Sequence, residues 1–349
     1  MKLWRALLLV LLCPLHVLGQ SSDVYLDITL TPFTPAPIPA AVDAQATGRA
    51  ITPEIRNAEA RYLALYLRYR LEASERYGAV RVMAEPDPGA DLRIEGTVLE
   101  SDGSVLALHL RVRDSGGVVW LDQDFRGTAN PSTSLNADAL LDDDFAGLFS
   151  EILRALEAQL AARTPAELDA IKQQATLRYG EYLVPDYFAS FFSHNPDGSL
   201  TLLRLPAADD PLLTRINAIR EREYLFIDVV DEQYRRFFDD LRPVYSMWRR
   251  LLREQAANTQ RVIARESESS SQLRRGSYFA LQEAYDNYRW AKLQELYLDE
   301  LGMGFANETE PTQIELNDSL FRLTGTMAQQ HREWRSILGE LLALELQGN

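Results

Sequence analysis

Between residues 227 and 251 the apolar side chains Ile227, Val230, Tyr234, Phe237, Leu241, Val244, Trp248 and Leu251 follow one another at alternating steps of three and four. That spacing places them on one stripe of a helix, and the intervening charges, among them Asp228, Asp231, Glu232, Arg235, Arg236, Asp239 and Asp240, fall mostly off it. The helix is expected to open at Asp210-Pro211 and to run to about Arg265. Pro243 should kink it near Leu241 without stopping it. A stripe of this length needs a cover. The next periodic stretch, 277–301, carries Tyr278, Leu281, Tyr285, Tyr288, Leu293, Leu296 and Leu301, and the expected arrangement is an antiparallel helical hairpin. A last helix from Thr326 to about Leu346, with Trp334, Ile337, Leu341 and Leu344 at the same steps, should insert alongside.

The first half of the chain has another rhythm. Val24, Leu26, Ile28 and Leu30 alternate as a strand, and Pro32, Pro35, Pro37 and Pro39 then predict an extended, exposed tether without ladder pairing. Thr52 and Pro53 open a helix reaching about Gly78. Strands follow at 79–84, 91–99, 104–113 and 117–125, with Asp102-Gly103 and Gly116-Gly117 as turns. Asp144 is expected to cap a helix bearing Phe145, Leu148, Phe149, Ile152 and Leu156. Thr164-Pro165-Ala166-Glu167 is a capping box, Asn195-Pro196-Asp197-Gly198 a turn before a strand at 199–205, and Asn317-Asp318-Ser319 the turn of a hairpin. The fold class is therefore α+β: a small mixed sheet with two backing helices over 20–163, then a mainly α helical-hairpin domain with a small antiparallel sheet over 164–349.

Residues 1–19 stand apart. Lys2 and Arg5 precede an apolar run, and Val17-Leu18-Gly19 suits signal peptidase, so the expectation is an exported, periplasmic protein cut after Gly19. A lipoprotein anchored through Cys13 is the alternative, although Leu12 stands where such signals carry a small residue. No later segment is apolar for long enough to span a membrane. The net charge of −15 becomes two units more negative once the leader is removed, which disfavours nucleic acid and anionic lipid as partners. Cys13 is the only cysteine, so the mature chain would hold no disulfide, thiol nucleophile or cysteine-ligated metal.

The segments Ala90-Asp91-Leu92-Arg93-Ile94-Glu95-Gly96-Thr97-Val98, Leu106-Ala107-Leu108-His109-Leu110-Arg111-Val112-Arg113-Asp114 and Gly117-Val118-Val119-Trp120 carry a resemblance spanning roughly residues 22–163. They are similar to the small α/β domain at the N-terminus of TolB, related to domains of other bacterial envelope proteins such as CsgG and LpoB. The resemblance implies a sheet backed by two helices, the docking of periplasmic partners and no catalytic residues. Propeller-type repeats do not follow it here, so TolB's own partners are not implied.

Candidate chemistry is sparse. His109, His194 and His331 are far apart, and the sequence contains no HExxH, GxSxG, GxGxxG or phosphate loop. Asp142-Asp143-Asp144 lacks EF-hand spacing and reads as a helix start. Residues 221–240 mix acids and arginines as the solvated face of a bundle helix does. For partner binding the candidates are Phe188, Phe191 and Phe192, as an exposed patch, and Trp248 and Trp334, whose stripe positions also suit a core. The expected function is a non-enzymatic interaction or scaffold protein of the bacterial cell envelope that docks envelope proteins, with no cofactor or metal and no small-molecule ligand. The alternatives are a periplasmic hydrolase whose carboxylates meet at the domain junction and a subunit of an envelope oligomer.

Overall fold

A computed structural model of the chain describes residues 24–37, 53–101, 104–130, 144–207, 209–268, 285, 292, 311–316 and 319–347. Residues 1–19, the expected leader, lie outside them. The fold is α+β. Strand β1 (Ile28–Leu30) runs parallel to its two neighbours, β3 (Val80–Val82) and the first half of β4 (Leu92–Ser101). Strands β5 (Val105–Asp114) and β6 (Val119–Thr128) extend the sheet antiparallel, in the order β3-β1-β4-β5-β6. Alternation decides what each face carries. Ile94, Val98, Leu108, Leu110, Val112 and Phe125 are buried on one side, beneath helices α1 (Pro53–Glu72) and α2 (Ala146–Ala161). The other face carries Glu95, Thr97, His109, Arg111, Asp122, Asp124 and Arg126.

Two local expectations fail, for physical reasons. The proline segment does not leave the sheet at once: β2 (Thr34–Pro35) pairs in parallel with Thr97 and Val98, and Phe33 is buried against Gly96. The Ala36 amide donates to Val98 O at 2.9 Å, so the nitrogen of Pro35 falls on the outer edge, where a missing N–H costs no ladder bond. Asp144, for its part, caps nothing. Phe145 holds the N-cap position of α2 without a side-chain bond, and Asp144 accepts instead from Arg253.

Helix α3 (Pro165–Leu183) starts at the predicted capping box, with Glu167 N–H donating to Thr164 Oγ1 and Thr164 N–H to Glu167 Oε2. A short helix α4 (Pro185–Phe188) and the hairpin of β7 (Phe192–His194) and β8 (Leu200–Leu202) lead into α5 (Pro211–Glu268). This helix continues through Pro243 for 58 residues, about 87 Å at 1.5 Å per residue. The chain closes with the hairpin of β9 (Thr312–Leu316) and β10 (Ser319–Leu323) and helix α6 (Met327–Gln347). No helix among the described residues is long and apolar enough to cross a membrane.

The stripe of α5 is buried at Ile227, Val230, Tyr234, Phe237, Leu241 and Trp248. Residues 277–301, its expected cover, lie outside the described residues except Tyr285 and Lys292. The cover that is described includes α1 and α6. Tyr62 of α1 stacks on Tyr245 at 3.8 Å and on Phe238 at 5.3 Å between ring centroids, and Tyr69 stacks on Phe238 at 5.7 Å. From α6, Trp334 is fully buried and donates to Arg222 O at 3.3 Å, while His331 stacks on Phe226. One continuous apolar core therefore runs from the sheet through α5 to α6.

Candidate functional site

The predicted partner anchors all lie in the interior. Phe188, Phe191 and Phe192 are 0%, 5% and 5% exposed, so the aromatic patch expected on the surface is a core element. Gly180 of α3 makes this packing: a Cβ there would come within 2.7 Å of the Phe188 ring, which fills the slot left by its absence. Phe191 and Tyr187 close around Phe188. Trp248 and Trp334 are equally buried, in two separate parts of the molecule.

What the fold assembles instead is a buried polar cluster where the β3–β4 connection meets α3, α5 and α6. At its centre is Glu223 of α5, 2% exposed; it and Asp231 depart from the expected solvated face, on which Glu221, Asp228, Glu232 and Arg236 are exposed as read. Its carboxylate accepts from Tyr179 Oη at 2.5 Å and Arg335 Nε at 2.6 Å, and lies 2.9 Å from His331 Nε2. Arg335 Nη2 reaches to 3.7 Å from Asp87, whose carboxylate also accepts from the Gly89 amide. Arg220 completes the ring, donating to Gly89 O and to Tyr224.

The electrostatics separate the two acids. Burial and the nearby charge of Glu223 push Asp87 up, against Arg220 and Arg335. Burial alone would raise Glu223 as well, but the hydrogen bond from His331 and the charge of Arg335 hold it well below the ordinary glutamate range. Two carboxylates pushed apart are the pattern of an acid and base pair. Substrate access decides against that use: Asp87 is 4% exposed, and the cavity touching His331 holds about 10 Å³, scarcely one water. The cluster is a structural tie between α6 and the body.

Space for a ligand lies elsewhere, in a groove of about 920 Å³. Thr31–Pro35 and the outer-face residues Glu95, Thr97, His109 and Arg111 form one wall. Asn57 and Arg61 of α1, Ala84, Pro86, Tyr234, and Thr326, Met327 and Ala328 at the start of α6 line it further. Two residues of the sheet wall are held by their neighbours: Arg111 donates twice to Asp122, at 2.6 and 2.9 Å, and His109 sits between Asp122 and Asp124 at 3.0 and 2.8 Å. The Arg111 bond lowers the Asp122 carboxyl. The surface so formed mixes hydroxyls, an amide and the charged groups of Arg61, Glu95 and Arg111 with proline, phenylalanine and methionine. Proline spacing and strand alternation in the sequence hint at the sheet side of the groove, but Thr326–Ala328 joins it only through tertiary packing.

Compared with known protein families the chain matches no family model, and a search of curated proteins gives no match.

Proposed function

We propose that this chain is a non-enzymatic interaction protein of the bacterial cell envelope, exported through residues 1–19, that docks a polypeptide segment of an envelope partner in the groove beside Thr97. The observation that carries the reading is the groove itself: about 920 Å³, beside the sheet, and lined by threonine hydroxyls and the polar groups of Arg61, Glu95, His109 and Arg111 together with apolar side chains. Such a lining suits an extended peptide, whose backbone needs polar partners and whose side chains need shallow apolar contact. The strand and helix order of residues 28–161 supports the likeness to the docking domain at the N-terminus of TolB.

A photo-crosslinking amino acid placed at Thr97 or Ala328 in cells should yield protein adducts, whereas one at the exposed Arg154 of α2, which does not line the groove, should not. Equal labelling at all three positions, or none in the groove, would remove the proposal.

A further inference from the structure

The main sheet has three edges, and the chain treats one of them differently. At β3, helix α5 covers the edge, and Arg68, held by Asp231 at 2.7 Å, donates to Val80 O at 3.0 Å. At β2, Pro35 blunts it. Strand β6 pairs with β5 alone among the described residues, is ten residues long, and carries neither proline nor lysine. Long bare edges invite strand pairing, so folds normally protect them.

The register shows which groups the edge offers. Thr128 lies opposite Val105, and the Ala129 amide donates to Ser104 O at 2.8 Å. Alternation then directs the peptide groups of Leu121, Gln123, Phe125 and Gly127 to β5. Those of Asp122, Asp124, Arg126 and Thr128 turn to the open side. The side chains of these four residues are exposed on the outer face.

We infer that β6 pairs antiparallel with β6 of a second copy of this chain, about a two-fold axis at Phe125, to form a sheet continuous across a dimer. Charge favours the register centred on Phe125 over those centred on its neighbours. With the axis at Phe125, each Asp124 faces Arg126 of the other copy, Asp122 faces Thr128, and the two Phe125 residues meet on the inner face. Moving the axis to Asp124 sets that carboxylate against itself, and moving it to Gln123 sets Asp122 against Asp124 twice. Of the registers centred on Gln123, Asp124 and Phe125, only the last is free of opposed like charges. Two strand edges bury less than the roughly 1,600 Å² of a standard interface, so the dimer should be concentration-dependent. This inference is independent of the groove.

Sedimentation velocity of the full chain over a concentration series tests it. Asp124→Arg and Arg126→Asp should each weaken association about tenfold, because two symmetry-related pairs turn from attraction to repulsion. The double variant should return to within about threefold of the parent. Within one subunit Asp124 pairs with His109 and Arg126 with Glu100, and the double variant restores neither bond, so its recovery reports the contact between copies. Amide exchange at Asp124 and Arg126 gives a second measurement on the parent chain and should slow as concentration rises. A chain that stays monomeric with fast exchange at these amides, or a dimer indifferent to both single reversals, overturns the inference.

Discussion

Between Arg220 and Asp231 helix α5 is buried against charge, with Glu223 among Tyr179, His331 and Arg335 and with Asp231 on Arg68; between Tyr234 and Trp248 the same helix is buried chiefly against rings, those of Tyr62, Tyr66 and Tyr69. The ring-packed half gains stability in proportion to the apolar area removed from water and tolerates small adjustments of its cover. The charged half behaves otherwise. A buried ion pair adds little net stability, but each member makes its partner's burial tolerable, so the loss of one leaves an uncompensated charge inside. That difference also separates roles: the rings glue α5 to α1, whereas the charges specify where α6 and the β3–β4 connection sit. The ring-packed half is not free of charge either, since Arg249 and Glu59 pair at 2.9 Å at its far end, both nearly inaccessible.

The sharpest way to break the comparison is Glu223→Gln. It should cost about 3–5 kcal/mol in denaturant titration by stranding His331 and Arg335, and hydrogen exchange should show α6 loosening ahead of the sheet. Because the carboxyl of Glu223 is held below its ordinary value, its contribution is present above the unfolded glutamate value near 4.5 and is lost as pH falls below it. The variant should therefore show a flatter acid limb than the parent; an unchanged limb would mean that Glu223 is not the anchor. Next comes Leu241→Ala in the ring-packed half, expected to cost about 2–5 kcal/mol through cavity formation, with no change in the acid limb.

Asp91 sharpens the comparison from the opposite side, as a buried acid with too few partners. It accepts from the Asp27 amide at 2.9 Å, with Lys172 at 4.0 Å, and burial pushes its carboxyl up from 3.8 to about 6. The folded chain holds this proton more tightly than the unfolded one, so ionisation lowers stability as pH rises from about 4 to about 6, and the penalty is complete above that. Asp91→Asn should remove the dependence and raise stability at neutral pH by about 1–3 kcal/mol, measurable as a higher Tm at pH 7 than at pH 4 relative to the parent. The smallest effect belongs to Arg236→Ala. Its partner Glu232 is exposed as it is, and a change beyond about 0.5 kcal/mol in thermal melts would show that surface pairs matter here more than their geometry allows.

Much of the local structure was legible because it depends on local chemistry. The strands of the sheet, the Thr164 box, the turn ending at Gly198 and the hairpin at β9 and β10 each follow from period or from a turn residue, and Gly198 adopts the positive φ that its turn requires. The candidate site was legible only in part. Charges at Glu223 and Asp231 have the spacing of an exposed helix face, and nothing within α5 announces that Arg335, more than a hundred residues later, or Arg68, far earlier, arrives to neutralise them. Phe188, Phe191 and Phe192 stand in an irregular stretch where periodicity has no purchase, so the slot at Gly180 that buries them could not be read from their own neighbourhood.

The order of the longer strands and helices, the stripe of α5 and the α+β class were thus determined by the sequence alone, since periods of two and of three to four residues act over a few neighbours and need no knowledge of the fold. Which surface covers that stripe, which acids are inside, and where a groove opens were decided only in the tertiary structure, because each depends on side chains from distant segments meeting where water is excluded. There a charge is tolerated or forbidden according to a partner whose place the local pattern does not record.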